Sequence, residues 1–258
     1  FGTLDLFNVR KGNVVGSNII NILLILGLAA CIRPLRIRRN TIKKEIPIAI
    51  LISSLLVVLF LDVQLKSGSI NQITRSDGIA ILLFFAVFLY YLISSALRSR
   101  DKKAVDPPRW KIFPSIAITL LGLVGIIGGS ELVVSSASNV ASAIGISERI
   151  ISLTVIALGT SLPELVTTVV SAKKGETDLV IGNILGSNIF NICIVLGIPV
   201  AIFGTITPAS FKIIDLVMLV GSAVLLYVFS KTEHKISRRE GVFMLIAFVV
   251  YYAAVFVV

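Results

Sequence analysis

Eight long apolar runs leave this chain few folds to adopt. They fall at about residues 13–32, 46–63, 78–97, 112–135, 150–172, 178–203, 213–230 and 241–258, each about 18 to 26 residues long. A helix needs roughly 20 residues to cross a hydrocarbon core of about 30 Å. Lipid offers no partner for open backbone groups, so runs of this length are expected to be helical, and they are too long for the strands of a membrane barrel. Charged residues make up 15% of the chain and hydrophobic residues 56%, against roughly a quarter charged in soluble domains. The expectation is an all-α polytopic membrane protein with eight transmembrane helices and the lipid bilayer as its surroundings.

The charges between the runs alternate in number. Of 24 Lys and Arg residues, 18 lie in the loops around 33–44, 98–111, 173–174 and 231–239. The remaining six (Arg10, Lys11, Lys66, Arg75, Arg149 and Lys212) lie in the loops of the other side. The positive-inside rule makes the first set cytoplasmic and puts both ends of the chain outside. The net charge of +10 is thereby a property of solvated membrane loops, and no nucleic-acid partner is expected. Cys31 and Cys193 stand alone in apolar segments, and the single histidine, His234, lies in a basic loop. No Cys or His metal site and no His-based catalysis is expected. No signal-peptide apolar region is legible in FGTLDLFNVRKG.

One polar pattern occurs twice. GNVVGSNIINILLILG at 12–27 and GNILGSNIFNICIVLG at 182–197 are identical at ten of sixteen positions, 170 residues apart. Five predicted crossings separate the copies, so they run in opposite directions through the bilayer, as the halves of an inverted-topology repeat do. The halves are expected at 1–100 and 112–258, with a cytoplasmic linker DKKAVDPPRWK at 101–111 whose Pro107–Pro108 pair stops a helix. The second half has five runs and the first three. Subtracting 170 from Pro163 gives a position before residue 1, so the first half is expected to lack its first two helices.

The run at 150–172 reads IISLTVIALGTSLPELVTTVVSA. Gly159 and Pro163 interrupt it, and Thr160, Ser161 and Glu164 lie on neighbouring faces at i, i+3 and i, i+4 spacing. Broken backbone at membrane depth is tolerated where it packs in protein or lines a wet cavity, and an ionisable residue there marks a functional site. Carboxylate, hydroxyl and carbonyl oxygens suit hard cations such as Na+ and Ca2+. In the repeated pattern, Asn183, Ser187 and Asn191 share one helix face, as do Asn13, Ser17 and Asn21. Gly182 with Gly186, and Gly12 with Gly16, form G-x-x-x-G pairs expected to let another helix approach closely. Glu131 lies near the outer end of its run as a gate or packing residue, and Asp77 and Asp215 are read as helix-start groups.

GTSLPEL followed by GNILGSNIFNICIVLG resembles the cation/calcium exchanger superfamily, in particular bacterial sodium/calcium antiporters, and the resemblance covers essentially 12–258. It implies a fold of ten helices in two inverted five-helix repeats, here with an N-terminal truncation. It also implies exchange of Ca2+ for Na+, or in relatives for H+, by alternating access, with the ions as cargo and no cofactor. Carried over by position, it makes Glu164 a central carboxylate supported by Thr160 and Ser161. Ser187 and Asn191 become ligands from the second repeat, and Ser17 and Asn21 from the first. The chain departs from the pattern in three places. A first-repeat GTSxPE is missing, Asn191 stands where some members have Asp, and Arg10 and Lys11 fall opposite Val180 and Ile181. The alternatives are a proton-coupled cation antiporter, or a truncated remnant or non-transporting membrane subunit. An enzyme is not expected, because no nucleophile–base pair or phosphate loop is present. The implied location is a bacterial inner or plasma membrane, and the oligomeric state is left open.

Overall fold

The structure, a computed structural model, describes residues 14–61, 73–99, 112–204 and 212–257. The linker at 101–111, Gly12 and Asn13 lie outside the described residues. Helices are designated α1 (Val14–Ile32), α2 (Ile46–Phe60), α3 (Arg75–Ser99), α4 (Ile112–Ala143), α5 (Thr154–Thr160), α6 (Leu162–Lys174), α7 (Thr177–Phe203), α8 (Ile213–Lys231) and α9 (Arg238–Val257). Five of them, α1, α3, α4, α7 and α8, are long and apolar enough to cross a membrane, and α5 with α6 makes a sixth candidate bent by 51°. The other two expected spans, 46–63 and 241–258, lie in α2 and α9; α2 itself has 15 residues, preceded by a π-helical turn at Thr41–Glu45.

The apolar character of these helices extends around their circumference, as it does in lipid-embedded helices. α1 is the most deeply packed: Ile19, Leu23, Ile25 and Leu26 are each 0% exposed. It is surrounded by α6, α7, α8 and α9, while α2 packs on α8 and the second half of α7 on α3. α4 is the opposite case. Leu121, Val124 and Leu132 stand exposed on it, and it meets the rest of the fold chiefly through α5 and α6. Large exposed apolar faces of this kind suit a hydrocarbon environment.

Two helix crossings are set by glycine. A Cβ on Gly27 of α1 would lie 3.1 Å from the Gly241 carbonyl oxygen of α9, and one on Gly241 would lie 2.8 Å from the Gly27 oxygen. At the repeat-related crossing, a Cβ on Gly78 of α3 would lie 2.7 Å from the Ala201 nitrogen and 3.0 Å from the Gly197 oxygen of α7. Backbones meet this closely only where side chains are missing. The expected pair at Gly182 and Gly186 behaves otherwise: a Cβ on either would meet open space, so no helix approaches there among the described residues. The spacing was right for an approach, but the packing helices cross α7 at Gly197 instead.

Among the described residues, the loops also carry a short β pairing. Arg33 precedes Pro34, which disfavours the helical conformation, and Arg33 is extended at φ −149°, ψ 132°. The chain runs on into β1 (Leu35–Arg36), which pairs antiparallel with β2 (Lys235–Ile236), Leu35 opposite Ile236. Two residues are too few to show alternation in a sequence. Between α6 and α7, Gly175 takes φ +81° and ends α6, with Glu176 N–H donating to the Ser171 carbonyl oxygen at 2.9 Å. Asp77 and Asp215 occupy helix starts as expected. Asp77 accepts from the Thr74 N–H at 2.7 Å, and Asp215 from the Lys212 N–H and the Tyr251 hydroxyl, both at 3.0 Å.

Candidate functional site

The break between α5 and α6 falls at Ser161, where φ −90°, ψ 2° leaves the helical region. Pro163, with no N–H to give, is tolerated because it sits in the first turn of the restarted helix. Gly159 is buried against α4, where a Cβ would run into the Val134 side chain. Glu164 thus stands in the first turn of α6, at the helix end that favours negative charge.

Glu164 connects to both copies of the repeated pattern. Its Oε1 accepts from Ser187 Oγ at 2.9 Å, and Ser187 Oγ accepts from Asn21 Nδ2 at 3.2 Å. Asn191 Nδ2 donates to Ser17 Oγ at 3.4 Å, so each asparagine reaches the serine of the other copy. Ser17 Oγ donates in turn to the Val14 carbonyl oxygen at 3.2 Å. Asn183 holds the base of the network, donating to Thr168 Oγ1 at 3.1 Å and to the Glu164 main-chain oxygen at 3.5 Å. Both copies also switch to a π-helical turn at their last asparagine, Asn21–Leu26 and Asn191–Leu196. Such turns concentrate at functional sites.

The expected residues therefore separate. Glu164, Ser187 and Asn21 form one hydrogen-bonded chain, Asn191 and Ser17 form a second pair, and Ser161 is buried at 2% exposure. Thr160 faces outward, is exposed, and donates its hydroxyl to the Ala157 carbonyl oxygen at 3.2 Å. Gly16 is buried within α1. Glu131, on α4, is exposed. Two residues of the site were missed, Asn18 and Asn188. Asn188 Oδ1 accepts from Asn21 Nδ2 at 2.9 Å, and its Nδ2 donates to the Asn18 main-chain oxygen at 3.2 Å. Their signal was present: both are asparagines at matched positions, three residues before Asn21 and Asn191, but one step off the chosen i, i+4 face.

The donor set left over is informative. Glu164 Oε2, Ser161 Oγ and Asn21 Oδ1 are buried and have no hydrogen-bond partner, as do both amide atoms of Asn18. Unsatisfied buried oxygens each cost about 1–3 kcal/mol; one of these belongs to Glu164, one to Ser161 at the helix break, and one to Asn21, which reaches Glu164 through Ser187. The Glu164, Ser161 and Asn21 oxygens are of the kind that fits a hard monovalent or divalent cation, and no cluster of three or more His, Cys, Asp or Glu side chains competes with them among the described residues.

An apolar helical fold with a broken span, a half-buried carboxylate at the break and cross-linked repeat motifs defines an integral membrane protein of the ion-exchanger architecture. The chain belongs to the sodium/calcium exchanger protein family, which it matches over residues 5–94 and 114–257. It is 37% identical to "Inner membrane protein YrbG" of Escherichia coli (strain K12), across 96% of this chain and 77% of that protein. It is 27% identical to "Sodium/calcium exchanger MaX1" of Methanosarcina acetivorans, across 95% of this chain and 79% of the relative. Among solved structures it is similar to the sodium-calcium exchanger NCX_Mj soaked with 10 mM Na+ and zero Ca2+, with a TM-score of 0.72, 31% identity, and 95% of this chain and 77% of that one covered. The family is one of exchangers, in line with the expectation that the chain is not an enzyme.

Proposed function

We propose that this protein exchanges Ca2+ for Na+ across the membrane through one oxygen-lined site near the midplane, centred on Glu164. Its membership of a calcium/cation antiporter family supports the class of activity. The observation that carries the site is the buried, unpartnered Glu164 Oε2 with Ser161 Oγ and Asn21 Oδ1, at a break in a membrane helix. Ser187, Asn191 and Ser17 complete the ligand face, and Thr160 is assigned to it by its place in GTSLPEL. Asn21 and Asn191, with their serines, bring the two inverted repeats to one place.

The mechanism is competition. A bare carboxylate in low dielectric is costly, so the site reorients with its charge compensated and resists moving empty. Na+ or Ca2+ compensates Glu164, and each displaces the other, which couples their fluxes without a second pathway. The basic loops face the cytoplasm in this reading, as the alternation of Lys and Arg requires. The repeats are the halves flanking 101–111, and no cofactor takes part. Vesicles containing the protein and loaded with Na+ are expected to take up Ca2+, and Glu164→Gln is expected to abolish uptake. Uptake that survives that substitution removes Glu164 from the site. Uptake driven by a pH gradient and indifferent to Na+ would make H+ the coupling ion.

A further inference from the structure

We propose that Asn188 is a positioning residue that decides which end of the Asn21 amide faces the ion; this rests on the reading of Asn21 as a ligand. A main-chain carbonyl oxygen can only accept a hydrogen bond. Asn188 Nδ2 lies 3.2 Å from the Asn18 carbonyl oxygen, so that end of the Asn188 amide is fixed as the donor. Its Oδ1 is turned the other way and accepts from Asn21 Nδ2 at 2.9 Å. The same Nδ2 gives its second proton to Ser187 Oγ at 3.2 Å, so both protons of the Asn21 amide are used. Asn21 Oδ1, at the other end of the amide from these two acceptors, is left buried and unpartnered.

Orientation therefore passes from the α1 backbone, through Asn188 on α7, and back to Asn21 on α1. An amide turned end for end would present N–H groups to a cation and two oxygens to each other. Asn188 is 5% exposed and Asn21 0%, so water has little access to substitute for the relay. Groups that orient ligands from behind typically change metal affinity by about 10–100-fold when removed. Simple interhelical adhesion through the same hydrogen bonds makes a different demand. It depends on Asn188 whatever residue stands at 21. Orientation matters only while position 21 carries an amide with unlike ends.

Initial rates of Ca2+ uptake over a Ca2+ series, in Na+-loaded vesicles, separate the two. Asn188→Leu keeps the side-chain size and is expected to raise the KM for Ca2+ about tenfold, with Vmax within about twofold. Asn21→Asp supplies oxygen at both ends but sets a carboxylate oxygen against Asn188 Oδ1. Adding Asn188→Leu to Asn21→Asp is therefore expected to leave the KM unchanged or lower it. A KM rise of equal size in both backgrounds, or a fall in Vmax at constant KM, overturns the proposal. Recovery of transport in the double variant also shows that Asn188→Leu folds, and Asn188→Ala repeats the test with a smaller side chain. Asn21→Ala with an unchanged KM would instead remove Asn21 from the ligands and overturn the reading of the site beneath it.

Discussion

The two copies of the repeated pattern have nearly the same sequence and live in different places. On α1, every residue from Val14 to Leu23 is buried. On α7, Gly182 and Phe190 are exposed, Phe190 at 48%, where its counterpart Ile20 is at 1%. The polar groups differ too. Asn188 has hydrogen bonds at both ends of its amide, whereas Asn18, its repeat mate, offers only its backbone oxygen and leaves both amide atoms unpartnered. Sequence symmetry here specifies which atoms can meet across the two repeats. The environment of each copy is set by what packs around it: α1 is enclosed by four helices, and α7 has an open face around its glycines.

The largest expected effect contrasts repeat-related apolar positions. Ile25, at 0% exposure, should cost about 3 kcal/mol on Ile25→Ala by leaving a cavity, while Val195→Ala, at 38% exposure, should cost under about 1 kcal/mol. Unfolding in detergent measures both, and equal losses would break the claim that the two copies are packed differently. Next come the glycines. Gly241→Ala drives a Cβ against the Gly27 backbone oxygen and should cost about 1–3 kcal/mol, whereas Gly186→Ala meets open space and should be neutral or gain up to about 1 kcal/mol in helix propensity. A loss at Gly186 as large as that at Gly241 would restore the close approach first expected there. The smallest contrast is polar. Asn21→Ala strands both Ser187 Oγ and Asn188 Oδ1 from their donor and should cost about 1–2 kcal/mol, while Asn191→Ala loses a single 3.4 Å bond and should cost about 0.5 kcal/mol.

Much of this was legible in the residues alone, for physical reasons. Membrane crossing imposes length and apolarity on a continuous stretch, so α1, α3, α4, α7 and α8 show as runs. A proline and a carboxylate in such a run are hard to explain otherwise, and the break at Ser161 is where GTSLPEL puts it. Periodicity identified Ser187, Asn191, Ser17 and Asn21 because side chains four apart share a helix face. It missed Asn188 because that side chain stands one residue off the i, i+4 face, and Asn18 because it enters the network only through its main-chain oxygen. The Gly27–Gly241 crossing was invisible for a different reason: glycine marks where an approach is possible, and the choice of partner depends on helices far apart in the chain. The pairing of β1 with β2 was hidden by its length.

The central claim is that Na+ and Ca2+ compete for one site built on Glu164. Ca2+ binding to the purified protein, titrated with Na+, tests it most directly. The account predicts bound Ca2+ that Na+ displaces completely, and no such binding in Glu164→Gln. Ca2+ binding that Na+ leaves unchanged, or that persists in Glu164→Gln, would contradict it.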